Sequence, residues 1–482
     1  MDLDHLAGAV VVARWSGTDP AAAAALVADE HLAGVILMGD NIARDEAGLV
    51  RLDQVRAVSA AVQDAAARDG RPWPAVVSVD QEGGRVARIG APVTELPPLM
   101  ALGAAGEDLR TRAAARASGH ELRSLGLTTV FAPDADVTIG PADPTIGSRS
   151  ASDDPVLVGR TVTAALQGYD LAGITAVAKH FPGHGAVTTD SHVALPVQGA
   201  SAQQLADREL PPFAAAVAAG VSAVMVAHLD VRAWDPGVPT SLSPHAYAVL
   251  RDDLGFDGVA VTDALDMAAV ADRYDSAGAA GTAIAAGADL LLMPVDAGEA
   301  RAGLVRAVGE GRLDEARLRE AATRVGAMQL AQQRAAAEVP ARPEDAGAYA
   351  AVSRATSAAA VTVVDGPCSG PLVGASVDVS GGTATDRARF ADAARAAGLG
   401  TGSGTRVRLL GGGEPGSGDV VVALDAPHAL GGSRAGTARV ALFGRTPGAF
   451  AALVDVLTGA APAPGHLPVA VQGLPPGAGC PR

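Results

Sequence analysis

The sequence predicts an α/β protein built as a (β/α)8 TIM-type barrel followed by a smaller α/β sandwich domain. Three observations lead there. Eight short, β-branched or aliphatic runs alternate with helical stretches through residue 338. Those runs lack the polar alternation of half-exposed strands, as parallel strands covered on both faces do. Finally, Asp80, the pair Lys179-His180, His228 and Asp263 each fall at the carboxyl end of a different run, where a barrel gathers its active site. A doubly wound open sheet shares the alternation, and the placement of these polar residues decides between the two.

In order, the first run is Ala7–Trp15, followed by a helix that starts with Asp19 as N-cap and Pro20 at the first helical position. Gly34–Met38 is the second run, and a helical pattern continues through Ala67 to the third, Ala75–Asp80. The remaining runs are Leu127–Ala132, Ile174–Ala178, Val221–Val226, Gly258–Val261 and Asp289–Met293. A helix from Asp314 to Ala337 closes the series. The expected division is a catalytic barrel at 1–338, a Pro-rich linker at 339–350 and the small domain at 351–482. In the latter, Ala358–Val364, Arg406–Leu410, Val420–Leu424 and Arg439–Phe443 read as strands. Gly398–Gly418 is crowded with glycine but has no Gly-Lys-Ser/Thr ending, so it reads as surface turns and not as a phosphate loop.

With 482 residues, 49% hydrophobic, 58 glycines and 3% aromatics, the chain describes an Ala/Gly/Val-rich globular protein of two domains. A net charge of −16 argues against nucleic acid or an anionic membrane surface as partner. No apolar run of about 18 residues marks a membrane span. The start, Met1-Asp2-Leu3-Asp4-His5, is acidic where a secretory signal is basic. Two cysteines, Cys368 and Cys480, make no disulfide framework; one bridge is conceivable, and a reducing compartment is the simpler assumption. A cytoplasmic monomer is the resulting expectation.

Chemistry concentrates in Lys179-His180-Phe181-Pro182-Gly183-His184-Gly185 and the Asp190-Ser191-His192 that follows. In an extended segment, Asp190 and His192 project to one side, so the carboxylate can hold one imidazole nitrogen and leave the other for a substrate. That pair is a general acid/base; a plain loop contact is its structural counterpart. His180, His184 and His192 also invite a zinc reading, although their spacing matches none of the usual zinc patterns. Asp263, ending the seventh run, can attack an anomeric carbon, with Asp266 the better candidate to cap the next helix. Asp80 and Arg88, in Asp80-Gln81-Glu82-Gly83-Gly84-Arg85-Val86-Ala87-Arg88, can bind vicinal hydroxyls or form an ion pair between Asp80 or Glu82 and Arg85 or Arg88. Arg149 sits in the long loop after the fourth run.

Taken together, DQEGGRVAR, KHFPGHGAVTTDSH and VTDALDM closely resemble glycoside hydrolase family 3, specifically its β-N-acetylglucosaminidase branch. The likeness extends to Val238–Ser243 and to Gly465–Val469 in the small domain. It implies Asp263 as nucleophile, His192 as acid/base with Asp190 its partner, and Asp80, Arg88, Arg149, Lys179 and His180 around an N-acetylglucosamine. His228 is expected beside that pocket. No cofactor and no metal are implied. The implied activity is a retaining exo-β-N-acetylglucosaminidase acting on a GlcNAc-containing glycoside or muropeptide. The sequence departs from the β-glucosidase branch, whose acid/base is a glutamate of the second domain, so that domain is expected to be structural or occluding, with Asp425 and His428 its residues to check. An imidazole acid becomes neutral when it gives up its proton and does not repel phosphate, so inorganic phosphate is a second possible acceptor. Phosphorolysis, a bifunctional β-glucosidase, a metal-dependent barrel hydrolase and a non-catalytic sugar-binding protein are the competing readings.

Overall fold

The computed structural model describes residues 1–481. Each of the eight expected runs contains a strand of one parallel sheet, although the first begins in a helix, Leu3–Gly8, that takes in Ala7: β1 Val11–Ala13, β2 Gly34–Leu37, β3 Val76–Val79, β4 Thr129–Val130, β5 Thr175–Phe181, β6 Ala223–Val226, β7 Val259–Thr262 and β8 Leu291–Leu292. Their order, β7-β6-β5-β4-β3-β2-β1-β8, is that of a barrel opened at one seam. Aliphatic residues dominate because each strand is covered by helices outside and by other strands' side chains inside; Val12, Ile36, Val76, Val177, Met225 and Val261 share the inner core. Asp19 caps the helix Pro20–Asp29 by accepting from the Ala21 amide, as its spacing predicts.

The seam between β7 and β8 is bridged at Val261 and Leu290, where the Thr262 amide donates to the Leu290 carbonyl at 2.9 Å and the Asp289 amide to the Ala260 carbonyl at 2.8 Å. Side chains complete it. Thr262 Oγ1 accepts from the Leu292 amide at 3.1 Å, and Asp289 Oδ2 accepts from the Ala260 amide at 3.0 Å. Asp289 is fully buried and is neutralised by Arg251 at 2.5 Å and Arg317 at 2.7 Å, with Arg324 at 3.5 Å. A buried carboxylate that bonds a strand amide, its charge held by three arginines, thus reinforces the backbone bonds that close the barrel.

Helix Glu315–Glu338, capped by Asp314, is followed by a turn at Pro343–Asp345 and helix Ala350–Ala360. The second sheet has six strands: β9 Thr362–Asp365, β10 Ser376–Gly381, β11 Gly400–Thr401, β12 Thr405–Leu410, β13 Ser417–Ala423 and β14 Arg434–Ala441. Its order is β9-β14-β13-β12-β10-β11, parallel except for the β9/β14 pair. Phe390, Phe450 and Leu453, from the helices Ala384–Ala396 and Pro447–Leu457, pack on Val407, Val420 and Val440. Two expectations change. Ala358–Ala360 ends a helix and is not strand, because an alanine run favours helix until Val361. Strands β10 and β11 went unpredicted because Ser, Asp and Gly dominate them and they lie towards the sheet edge, largely exposed. Within the Gly398–Gly418 stretch, β12 runs between the glycine turns.

Cys368 and Cys480 form a disulfide, with Cα atoms 5.5 Å apart and a sequence separation of 112. From the sequence a single bridge is open but unsupported; the fold brings the two cysteines to bonding distance. Disulfides persist where thiols are not kept reduced, so this pair speaks against the reducing compartment assumed from composition. Among the described residues no helix is long and apolar enough to cross a membrane.

Replacing Asp289 by Ala leaves three arginines facing an apolar seam and removes the Ala260 bond. The expected cost is about 3–5 kcal/mol, read as a lower midpoint in urea unfolding with activity unchanged in the folded fraction.

Candidate active site

Strand β3 ends at Asp80, and the chain turns back in a small hairpin, Gln81–Gly83 against Val86–Ala87. Gly83 has φ +92, and a Cβ there would lie 2.6 Å from the Pro97 carbonyl oxygen, so the turn requires glycine. The hairpin projects Glu82 inward, its side chain 5% exposed, between Lys179 of β5 and Arg149 of the loop after β4. Lys179 Nζ lies 2.7 Å from Glu82 Oε1 and 2.8 Å from Asp80 Oδ1. Arg149 grips Glu82 with two bonds, Nε at 2.8 Å and Nη2 at 2.9 Å. Burial alone would raise the Glu82 carboxyl, but the two cations hold it far below the ordinary carboxylate range. Lys179 is correspondingly held above its usual value against desolvation by Asp80 and Glu82. Arg88, at 3.7 Å from Asp80, is the more exposed member of the group.

Beneath them lies Asp136. It accepts from the His184 amide at 2.5 Å, and its Oδ2 lies 2.7 Å from His180 Nδ1. Burial and the adjacent Arg149 push the His180 imidazole down to about 4, so at neutral pH the ring carries one proton. With that proton on Nδ1, directed at Asp136, Nε2 is free to accept from Arg149 Nη2 at 3.1 Å. Asp134, fully buried beside Asp136, is raised well above an ordinary aspartate, first by burial and then by its neighbour's charge. The peptide bonds Lys179-His180 and Phe181-Pro182 are both cis.

Asp263 follows β7 on the opposite wall. Burial would raise its carboxyl, yet the His180 and His228 rings, the Ala264 amide at 2.8 Å and Lys179 bring it below the ordinary value. His192 lies in the loop after β5, its side chain 66% exposed, with Nδ1 2.7 Å from Asp190 Oδ1. The same carboxylate oxygen accepts from the His192 amide at 2.9 Å. The pair thus meets through an Asx turn and not through the extended segment expected. Ser191 anchors this loop: its hydroxyl lies 2.9 Å from His184 Nε2, and its carbonyl accepts from the Ala269 amide beyond Asp263.

One cavity of about 300 Å³ is lined by Asp80, Arg88, Arg149, Lys179, His180, His192 and Asp263 together. His228 is not among its lining residues. It is fully buried behind the Ala264–Leu265 peptide, with Nδ1 2.7 Å from Ser241 Oγ and Nε2 2.9 Å from the Ala264 carbonyl, so the pocket role expected for it is replaced by support of that peptide. Asp266 does not cap the next helix, whose N-cap is Met267; it also lines the cavity, 3.5 Å from Arg14. Of the three histidines in the zinc reading, His180 turns to Asp136, His184 to Ser191 and His192 to Asp190. Asp425 and His428 stay outside this cavity: Asp425 accepts from the Ser148 hydroxyl, and His428 packs on Gly140. On the far side of the hairpin, a second cavity of about 280 Å³ separates the barrel from the second sheet, lined by Gln81, Arg85, Ala87, Asp425 and Arg445 among others.

Sequence reasoning left Asp134, Asp136 and Ser191 unassigned and offered His184 only as a zinc ligand. The available signal for the first two was their position: polar residues just past the carboxyl end of a barrel strand, the rule that had already singled out Asp80 and Asp263.

A barrel whose mouth holds Asp263 and His192 on one polar cavity is an arrangement that glycoside hydrolysis can use, and the comparisons with known proteins agree with that class. The family model described as the glycosyl hydrolase family 3 N terminal domain matches residues 8–328, and the chain belongs to that family. Among curated relatives, Beta-hexosaminidase of Xylella fastidiosa (strain M23) is 38% identical over 272 residues, 55% of this chain and 77% of the relative. Beta-hexosaminidase A of Pseudoalteromonas piscicida is 33% identical over 287 residues, 56% of this chain; the match spans 47% of that longer protein. Among solved structures, a glycoside hydrolase family 3 beta-N-acetylglucosaminidase from Paenibacillus sp. str. FPU-7 superposes with a TM-score of 0.84 at 29% identity, covering 98% of this chain and 99% of that one.

Asp136→Asn keeps the size of the side chain but has a single acceptor oxygen, so it can no longer accept from both the His184 amide and a His180 Nδ1–H. The expected result is a fall in kcat/KM of roughly 10- to 100-fold, equivalent to about 1.5–3 kcal/mol, with the fold intact by circular dichroism.

Proposed function

We propose that the chain is a retaining exo-β-N-acetylglucosaminidase. The observation that supports this reading is the shared cavity of about 300 Å³, lined by both Asp263 and His192, with Asp190 bonded to the His192 ring. The names of the Xylella, Pseudoalteromonas and Paenibacillus proteins support the same sugar. Asp80, Arg88, Arg149, Lys179 and His180 hold the hydroxyl and N-acetyl groups of a terminal β-linked GlcNAc. An Asp263 oxygen attacks C1 as the bond from C1 to the aglycone oxygen breaks, and His192 delivers its proton to that oxygen. Water then gives a proton back to His192 and attacks C1 from the vacated face, releasing GlcNAc with its configuration retained and Asp263 free. Asp190, held low by the His192 amide and ring against its partial burial, stabilises the imidazolium form before each donation.

An acceptor other than water fits the same scheme, since the deprotonated His192 is neutral and places no anion beside an incoming phosphate. The aglycone, whether muropeptide, chitobiose or another glycoside, leaves through the open side of the cavity. The second domain contributes no group to the reaction.

The decisive assay compares nitrophenyl N-acetyl-β-glucosaminide with nitrophenyl β-glucoside, each with and without phosphate. The expected products are GlcNAc in water and little glucose; a phosphate-dependent sugar 1-phosphate would replace hydrolysis by phosphorolysis. Asp263→Ala should lower turnover by roughly 10³-fold or more while GlcNAc still binds by calorimetry, and unimpaired turnover would remove Asp263 as nucleophile. Because Asp263 is held below its ordinary value and His180 protonates near 4, both keep their working forms as pH falls towards that region. Asp136, pushed up to about 6 by burial, takes up its proton first, so the acid limb of kcat/KM is expected near pH 6, measured on the free enzyme.

A further inference from the structure

At the end of the barrel opposite the catalytic cavity, three successive units each contribute one residue to a single cluster. His5 lies on helix Leu3–Gly8 ahead of β1, His31 follows helix Pro20–Asp29 ahead of β2, and Asp69 ends helix Leu52–Arg68 ahead of β3. One nitrogen of each histidine and an oxygen of Asp69 all lie within 4.8 Å of one another. His31 Nδ1 is 2.7 Å and His5 Nε2 3.5 Å from the same oxygen, Asp69 Oδ1. The two rings stack with centroids 4.0 Å apart, so both present their edges to that carboxylate.

Two further observations fit a metal and have no role in a simple hydrogen-bonded trio. His5 Nδ1 lies 2.6 Å from Asp2 Oδ1, an arrangement in which a carboxylate takes the Nδ1 proton and leaves the Nε2 lone pair facing the cluster. Metal-bound histidines are held this way, because the outer carboxylate fixes the tautomer and raises ligand basicity. Asp69 is 8% exposed, yet its Oδ2 has no hydrogen-bond partner. Arg71 stands 3.5 Å from that oxygen, which keeps the carboxylate ionised without occupying Oδ1.

We propose that His5 Nε2, His31 Nδ1 and Asp69 Oδ1 bind one divalent transition-metal ion of the zinc type, with water completing the coordination and Asp2 fixing the His5 tautomer. Imidazole nitrogens and one carboxylate oxygen are the donor set such an ion takes, at bond lengths of about 2.0–2.2 Å. Tetrahedral bonds of that length set ligand atoms about 3.3 Å apart. The His5–Asp69 separation is already close to this, and the His31–Asp69 pair opens by a few tenths of an ångström as the His31 proton moves from Nδ1 to Nε2. Both histidine side chains are about 30% exposed, so the ion enters from solvent without unfolding. Its effect is to clamp the first helix to the second and third units of the barrel. It takes no part in the reaction at the other end.

The test uses the full chain, stripped with chelator and desalted, then titrated with Zn²⁺, or with Co²⁺ for its visible absorption. The expected result is one equivalent retained through desalting and a Tm raised by about 3–6 °C. His5→Ala and His31→Ala should each lose the retained ion and the Tm rise, with hydrolysis of the nitrophenyl glycoside unchanged. His5 lies on a short, partly exposed helix, so its variant keeps the comparison usable should His31→Ala fold poorly. Failure to retain an equivalent overturns the proposal. So does retention unaltered in both variants, which would place the ion elsewhere.

Discussion

A carboxylate buried between two cations sets the shape of the catalytic end of the barrel. Glu82 comes from the hairpin after β3, Lys179 from β5 and Arg149 from the loop after β4, so their attraction draws together segments that share no ladder at that level. Left unpaired, Lys179 and Arg149 would repel each other in a poorly solvated space, and a buried charge without its partner costs several kcal/mol. With Glu82 in place, Lys179 has bonding capacity left for Asp80, and Arg149 Nη2 reaches His180. The polar groups assigned to the sugar under the proposed function are thus oriented before any ligand arrives, the condition under which fixed dipoles favour a developing charge most strongly.

Much of this was written in local sequence. The barrel strands are legible because each is a run of β-branched or aliphatic residues, and the site residues because each breaks that run at its carboxyl end. Partnerships across the barrel were not legible. Glu82 reads as a mate for Arg85 or Arg88 in its own loop, whereas Arg85 turns instead to the carbonyls of Thr145 and Ile146, and Glu82 crosses to Lys179 and Arg149. His228 looks like a site residue by position, but both its nitrogens are taken up by Ser241 and Ala264 behind the wall. Asp190 and His192 were correctly paired for a different geometric reason, a turn closing on a backbone amide. In the second sheet, strands whose residues are mostly exposed carry no apolar signature, and two cysteines 112 residues apart announce no pairing until the sheet joins them.

The second domain acts on the site at one remove. Asp425 accepts from Ser148, the Pro468 carbonyl accepts from Ser152, and the Ala470 amide donates to Asp153 at 2.7 Å. Helix Leu99–Ala105 wedges beneath the same loop, where a Cβ on Gly103 would fall 2.1 Å from the Ala151 carbonyl oxygen. These contacts bracket Arg149 on both sides in sequence. A long loop that would otherwise sample many conformations is tied at several points to a separate core, which lowers the entropy lost when Arg149 engages a ligand.

The hairpin at residues 81–87 is a partition one backbone thick. Its alternating side chains divide between two chambers: Glu82 faces the sugar cavity, while Gln81 and Arg85 face the space between the domains. Gln81 bonds the Ile89 backbone through both ends of its amide, which stiffens the partition. A change made on one side of such a wall is felt on the other with nothing between to absorb it, so the geometry that reads the sugar and the fit between the domains must vary together.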